Sequence, residues 1–229
     1  MRWWCTAAAA ASGGRFTLGI GLSHKIVIEN MLGLSYDKPV RHLREYLSVL
    51  MPLSRNEPAN FEGEMYKVHA AVSARGSDGF SVVVAALGEQ MLRVTAAMAD
   101  GTLTWCTGPA TLAGHTIPTI TKAAEEFGRP APRVIAALPV CVTNDRDAAA
   151  ARAAETFAAY GSLPSYRAML DREGVAGPAD IAIIGSTAEV QDRVGALAGI
   201  GVTDFAAVEF GATPDEVRDT REALKGLLS

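Results

Sequence analysis

The chain has 229 residues, 49% of them hydrophobic and 20% charged, with 21 Lys and Arg against 25 Asp and Glu, so it holds enough apolar material for one substantial core and carries a formal net charge of -4. Mild acidity without any Lys/Arg block argues against nucleic acid or an anionic membrane as the main partner, and leaves a small molecule as the expected one. No apolar run reaches the ~18 residues of a membrane helix, and Cys5, Cys106 and Cys141, widely spaced with no CxxC pair and no His at ligand spacing, read as reduced thiols of a cytoplasmic protein rather than a metal site.

Met1 to Gly14, MRWWCTAAAAASGG, imitates a signal peptide through one Arg, an apolar centre and small residues, but Ala-rich chain before a strand is more simply a helix ending at Gly13. Arg15 to Gly21, RFTLGIG, reads as a buried parallel strand running into a glycine loop. Gly19 and Gly21 leave the backbone bare at its C-terminal end, open to a planar or phosphorylated ligand; a tight turn with no ligand is the alternative. His24 lies just past that end, where a substrate could touch it. Asp37 is placed to cap a helix with Pro39 in its first turn, burying Val40, Leu43, Leu47, Leu50 and Met51 and leaving Arg41, Arg44 and Glu45 to solvent, with His42 among those charges. Residues 53–79 break the rhythm as an insertion, with a hairpin at Asn60 to Ala70 turning through Glu62, Gly63 and Glu64, and His69 as a strand residue.

Ser81 to Leu87, SVVVAAL, is the second core strand, and Gly88 ends it. A helix begins at once with Met91, Val94 and Met98 inward, so its free N–H groups arrive at the same kind of strand end as Gly19 and Gly21. The third strand, Thr102 to Cys106, brings Thr104 and Trp105 to its end, where an indole can stack on a flat ring or simply pack; Cys106 has no neighbouring base to make it a nucleophile. A helical segment from Thr111, broken at Pro118, buries Ile120, Ala124 and Phe127 and stops at Gly128. Arg133 to Thr143 is the fourth strand, followed by a helix from Asp145 to Tyr160 and another from Pro164 to Gly174. Residues 180–185, DIAIIG, form a short apolar run. Ser186 and Glu189 stand at capping-box spacing, Val202 to Phe210 is the last strand, and Thr213, Pro214 and Glu216 open a terminal helix.

Five core strands separated by helices predict a parallel sheet with right-handed crossovers, either a (β/α)8 barrel or a doubly wound sheet. No GxGxxG or GxxxxGK[ST] string is present.

Taken in order, RFTLGIGLSHK, LSYDKPVRHLREYL, FEGEMY, VVVAALGEQMLRVTAAMADG, RVIAALPVCVT and AGIGVTDF resemble the bacterial luciferase-like family, specifically its deazaflavin (coenzyme F420)-dependent oxidoreductase branch, from Gly13 onward. The resemblance implies an α/β TIM barrel, spanned by one luciferase-like domain over residues 1–229, with residues 1–14 a poorly matched helix. It implies a cofactor at the C-terminal mouth, F420 with FMN as the alternative, carrying hydride to or from an organic substrate, and it allows a homodimer. By the resemblance, Gly19, Ile20 and Gly21 would meet the cofactor's tail or ring; Ala86, Leu87 and Gly88 would offer N–H groups to its phosphate; Thr104 and Trp105 would line the same site. Glu89 stands where the family commonly has Pro, and its carboxylate would repel that phosphate. The family's first three strands find no counterpart, so the expectation is an incomplete barrel of strands 4 to 8 with a small hairpin insertion and no assignable catalytic acid or base. The rival reading is a truncated, non-catalytic remnant that binds a partner chain. A metal-dependent barrel hydrolase is disfavoured, because no HxH or His/Asp cluster stands at a strand end.

Overall fold

The computed structural model describes residues 2–71 and 78–228; Met1, Ser229 and the 72–77 part of the expected insertion lie outside the described residues. The chain divides into two compact units, Met1–Thr102 with Ile120–Pro132, and Leu103–Thr119 with Arg133–Ser229.

The first unit contains helix α1 (Arg2–Ala11), strand β1 (Thr17–Ile20), a π-helical turn (Val27–Met31), helix α2 (Pro39–Ser54), the hairpin strands β2 (Ala59–Glu62) and β3 (Lys67–Ala70), strand β4 (Ser81–Ala85) and helix α3 (Glu89–Met98). β1 and β4 run parallel, with Thr17 opposite Ser81 and Ile20 opposite Val84. Val82, Val83 and Val84 are all buried, as a β-branched run covered on both faces should be. α2 packs on α3 and β4 through Leu43, Leu47 and Met51, which recur every fourth residue. The hairpin forms as its pattern predicts, Phe61 facing Val68 and Asn60 facing His69.

Four local expectations fail here. β1 is only half covered, with no residue in the buried class, because among the described residues it has a partner on one edge alone. Asp37 does not cap α2: its carboxylate accepts from the Ser35 hydroxyl at 2.7 Å, and the cap position is Lys38 in the left-handed region at φ +49°. Glu45, expected in solvent, is buried. In the helix α5 (Ile117–Glu126), preceded by the short helix α4 (Pro109–Thr111) and a π-helical turn (Leu112–Thr116), Ile120 and Ala124 are buried, whereas Phe127 is half exposed beyond the helix end.

The second unit is built on the strand β6 (Arg133–Val142), nine of whose ten residues are buried. It pairs in parallel with β7 (Ile183–Gly185) near its C-terminal end and with β8 (Asp204–Glu209) along Ile135 to Val140. Around it lie α6 (Arg146–Thr156), α7 (Ala158–Ser162), α8 (Pro164–Glu173), α9 (Thr187–Gly199) and α10 (Pro214–Lys225). Leu138, Val140, Leu170, Val190 and Leu197 belong to its buried core. The capping box at α9 forms as read: the Glu189 carboxylate accepts the Ser186 N–H at 2.9 Å, and the Ser186 side chain accepts the Glu189 N–H at 3.5 Å. At α10 the Thr213 hydroxyl accepts the Glu216 N–H at 3.1 Å, with Pro214 in the first turn.

With β5 (Gly101–Trp105), six strands of the described residues belong to one sheet, against the five expected. The missed strand is β7. It has three residues, too few to show a period, and follows a 3-10 turn at Pro178–Ile181 that blurs its start. No described helix is long and apolar enough to cross a membrane.

Leu138, 1% exposed at the centre of β6, tests that spine. Leu138→Ala is expected to cost about 2–5 kcal/mol, read as a lowered urea midpoint with the slope unchanged.

Candidate functional site

Parallel pairing sets the geometry at the ends of β1 and β4. The register carries Gly21 to the level of Ala85, and a Cβ on Gly21 would stand 3.2 Å from the Ala85 methyl, tighter than side chains normally sit. A side chain at Gly21 would crowd that methyl, and Gly19 and Gly21 both expose bare backbone. Beyond Ala85 the chain passes through buried Ala86 and half-buried Leu87 to Gly88, which is exposed, with nothing within 4 Å of where its Cβ would be. Gly88 is the cap residue of α3, and no side chain caps the helix there. Its first turn thus presents the positive end of the helix, next to the exposed carboxylate-bearing Glu89.

A cavity of about 870 Å³ lies in the same unit, with Gly19, Ile20 and Gly21 on one wall and His42, Tyr46 and Tyr66 among its other lining residues. His42 Nε2 and the Tyr66 hydroxyl are 2.6 Å apart. The Tyr66 ring stands edge-on to Tyr46 at 5.9 Å and tilted against His42 at 5.4 Å. Tyr36 closes another side, its hydroxyl donating to the Ser23 carbonyl at 3.2 Å. His24 is not a lining residue; its carbonyl accepts the Val27 and Ile28 N–H groups, each at 2.9 Å, and so starts the π-helical turn.

Tyr66 is held from behind. The buried Glu45 carboxylate accepts the N–H groups of Met65 at 2.8 Å and of Glu64 and Tyr66 at 3.2 Å. These bonds, the one from Met65 foremost, hold Glu45 below the usual carboxylate range although burial opposes them. Gly63 makes the approach possible: a Cβ there would collide with Glu45 Oε2 and come within 2.6 Å of the Phe61 ring. Glu64 in turn takes Lys38 at 2.6 Å and Arg41, and the Lys38 bond leads in lowering its own pKa.

In the second unit, Thr104 is fully buried and its hydroxyl has no hydrogen-bond partner within the protein; the Trp105 indole N–H has none either. Trp105 sits edge-on to Phe157 at 5.5 Å and Tyr160 at 5.6 Å. Cys106 takes a left-handed backbone at φ +49°, and burial pushes its thiol up to about 12, so it stays protonated and is no nucleophile. Burial also raises Cys141. Among the described residues no cluster of His, Cys, Asp and Glu could hold a metal ion.

The expected residues Gly19, Ile20 and Gly21 line the cavity, and Ala86 to Gly88 follow the paired strand. The residues that sequence reasoning missed are His42, Tyr46 and Tyr66. A signal was present: His42 and Tyr46 are four apart on one helix face, and Tyr66 follows the hairpin turn.

The family model described as luciferase-like monooxygenase matches residues 6–228. A curated relative, the 5,10-methylenetetrahydromethanopterin reductase of Methanolobus tindarius, is 30% identical over 210 residues, 90% of this chain and 63% of that protein. The chain spans about half to just under two thirds of the length of the curated relatives it matches. The coenzyme F420-dependent tetrahydromethanopterin reductase from Methanopyrus kandleri superposes with a TM-score of 0.76 at 22% identity, over 96% of this chain and 75% of that one. The oxygenating constituent of 3,6-diketocamphane monooxygenase from Pseudomonas putida, solved with FMN, gives 0.66 at 17% identity, over 97% and 74%. Superposition over nearly the whole chain, with the sixth strand, corrects the expected incomplete barrel of strands 4 to 8: the fold is α/β and TIM-barrel-like, with a sheet of six strands among the described residues.

Glu45 provides a pH test. A depressed folded-state pKa means its clamp stabilises fully above the ordinary carboxylate value and is lost as pH falls through the lowered one. In wild type, the amide shifts of Glu64, Met65 and Tyr66 are expected to move together in that acid window. In Glu45→Gln the three-bond clamp is broken already at neutral pH and their concerted titration disappears, with a lower Tm.

Proposed function

As a member of the luciferase-like monooxygenase family, with the match running over residues 6–228, the chain is one that we propose binds coenzyme F420, with FMN as the alternative, in a cytoplasmic oxidoreductase acting on a small organic molecule. The observation that carries this reading is the pair of parallel strand ends, where a side chain on Gly21 would crowd Ala85 and Gly88 opens an uncapped helix. That is the chemistry a phosphorylated cofactor requires: bare N–H groups, a positive helix end and room. When bound, the deazaflavin or flavin ring supplies the site for hydride transfer.

In this reading the Gly19, Ile20 and Gly21 backbone meets the cofactor's tail or ring, and the N–H groups at Ala86, Leu87 and Gly88 bind its phosphate. Taken by themselves in the second unit, Thr104 and Trp105 offer a ligand two buried polar atoms without protein partners. Leaving such a group unsatisfied costs about 1–3 kcal/mol, which a ligand atom would offset. F420 is preferred over FMN because the curated relatives at 30% identity are named as methylenetetrahydromethanopterin reductases, and the Methanopyrus structure is described as F420-dependent. The FMN-bound diketocamphane enzyme keeps FMN in view. A homodimer is the assembly we favour, and nucleic acid has no role in this reading.

Titration of the chain with F420 and with FMN, followed by cofactor fluorescence, tests the assignment. Saturable binding of one is expected; none with either sinks the reading. Gly21→Val should weaken binding at least about tenfold by pushing a side chain into the strand end. Glu89→Gln should tighten it about two- to fivefold by removing a carboxylate beside the phosphate, an effect that shrinks with added salt.

A further inference from the structure

The cofactor reading uses one wall of the first unit's cavity and leaves the opposite chemistry unexplained. We infer that His42, Tyr46 and Tyr66 recognise the organic substrate, and that this substrate is a neutral flat ring bearing a hydroxyl or the corresponding carbonyl; the inference rests on the reading that Gly19 to Gly21 face the cofactor.

Three observations carry it. The first is shape. About 870 Å³ exceeds what a phosphate or a single chain tail fills and suits a small organic molecule, and the Tyr66 ring, braced between Tyr46 and His42, offers an aromatic surface against which a planar ring can pack. Ile28 and Leu34 add apolar contact from the neighbouring segment.

The second is the hydrogen-bonding pair. With 2.6 Å between His42 Nε2 and the Tyr66 oxygen, one proton is shared and either group can donate it. If the phenol donates to the imidazole, the Tyr66 oxygen keeps lone pairs to accept from a ligand hydroxyl. If the imidazole donates, the Tyr66 O–H is free to turn to a ligand carbonyl. The same two residues therefore suit either a ligand hydroxyl or a ligand carbonyl. Tyr66 remains a phenol while doing so, since burial, and then Tyr46 and Glu45, raise its pKa.

The third is charge. The described residues lining the cavity include no Lys or Arg, and Asp37 is the lining carboxylate. The nearby cations Lys38 and Arg41 are both bound by Glu64, and the Glu45 carboxylate stands behind the Tyr66 backbone at 3.2 Å. An anionic ring would enter against this negative bias with no cation to receive it, so the site selects a neutral one.

The test uses the full chain and two fluorescent probes, a naphthol and the matching hydroxynaphthoate, followed by anisotropy. Wild type is expected to bind the naphthol saturably and the naphthoate at least about tenfold more weakly. Tyr66→Phe and His42→Ala should each weaken naphthol binding about tenfold, and Leu34→Trp, which narrows the cavity without touching the pair, should block it. Tyr66→Phe keeps the backbone N–H that Glu45 holds, so near-UV circular dichroism is expected to show the hairpin intact. Absence of saturable naphthol binding, equal affinity for the naphthoate, or indifference to both pair variants overturns the inference. So does a parallel loss of F420 or FMN affinity in those variants, which would make the pair part of the cofactor site. Naphthol binding that survives while wild type takes neither cofactor sinks the cofactor reading instead.

Discussion

A single buried carboxylate organises the first unit's cavity. Glu45 leaves water to accept three backbone N–H groups from the turn at Glu64 to Tyr66. An uncompensated charge there would be costly, so the ionised carboxylate and the folded turn stabilise each other. Gly63 is the steric condition for the arrangement, because any side chain at that position would occupy the space the carboxylate needs. The consequence reaches beyond the hairpin: it fixes where the Tyr66 ring stands, and so fixes the hydroxyl that meets His42 at 2.6 Å.

The same logic of bare backbone applies at the strand ends. β1 and β4 are parallel, so their C-terminal ends face the same way and their successive amides can serve one ligand. Antiparallel strands would have placed Gly21 and Gly88 at opposite ends. The charged groups of α2 and the hairpin turn are arranged around this cavity in pairs: Lys38 and Arg41 with Glu64, and Asp37 with the Ser35 hydroxyl. Apart from the Asp37 carboxylate, the polar character of the lining comes from phenols, an imidazole, serine hydroxyls and main chain.

Much of the backbone was legible in the sequence because periodicity and caps are local signals. The Val run of β4, the four-residue spacing of Leu43, Leu47 and Met51, and the Ser186 to Glu189 box each need only neighbouring residues to be read, and each forms. The failures are of another kind. β7 is too short to carry a period. Asp37 is a good cap by type, but the nearby Ser35 hydroxyl captures its carboxylate. Glu45 looks like a solvent charge on its helix and is buried only because a turn some twenty residues later wraps onto it. The cavity shows the same division. Gly19 and Gly21 announce themselves as bare strand-end backbone, whereas His42 and Tyr66 are 24 residues apart and acquire meaning only when the hairpin folds back on α2.

The balance at Gly88 decides where a bound cofactor would draw its affinity. The amide end of a helix is worth roughly 0.3–1 kcal/mol to a nearby anion at an exposed position. Opposing unit charges or like charges about 4 Å apart in water interact by about 1 kcal/mol. Glu89, exposed in the first turn of α3, therefore cancels most of what the uncapped helix offers a phosphate. Hydrogen bonds from main-chain N–H groups survive that cancellation, since they depend on direct contact rather than on net charge. A phosphorylated ligand would then be oriented by its phosphate more than held by it, and the greater share of binding energy would have to come from burying its ring, where contact area rather than charge sets the scale.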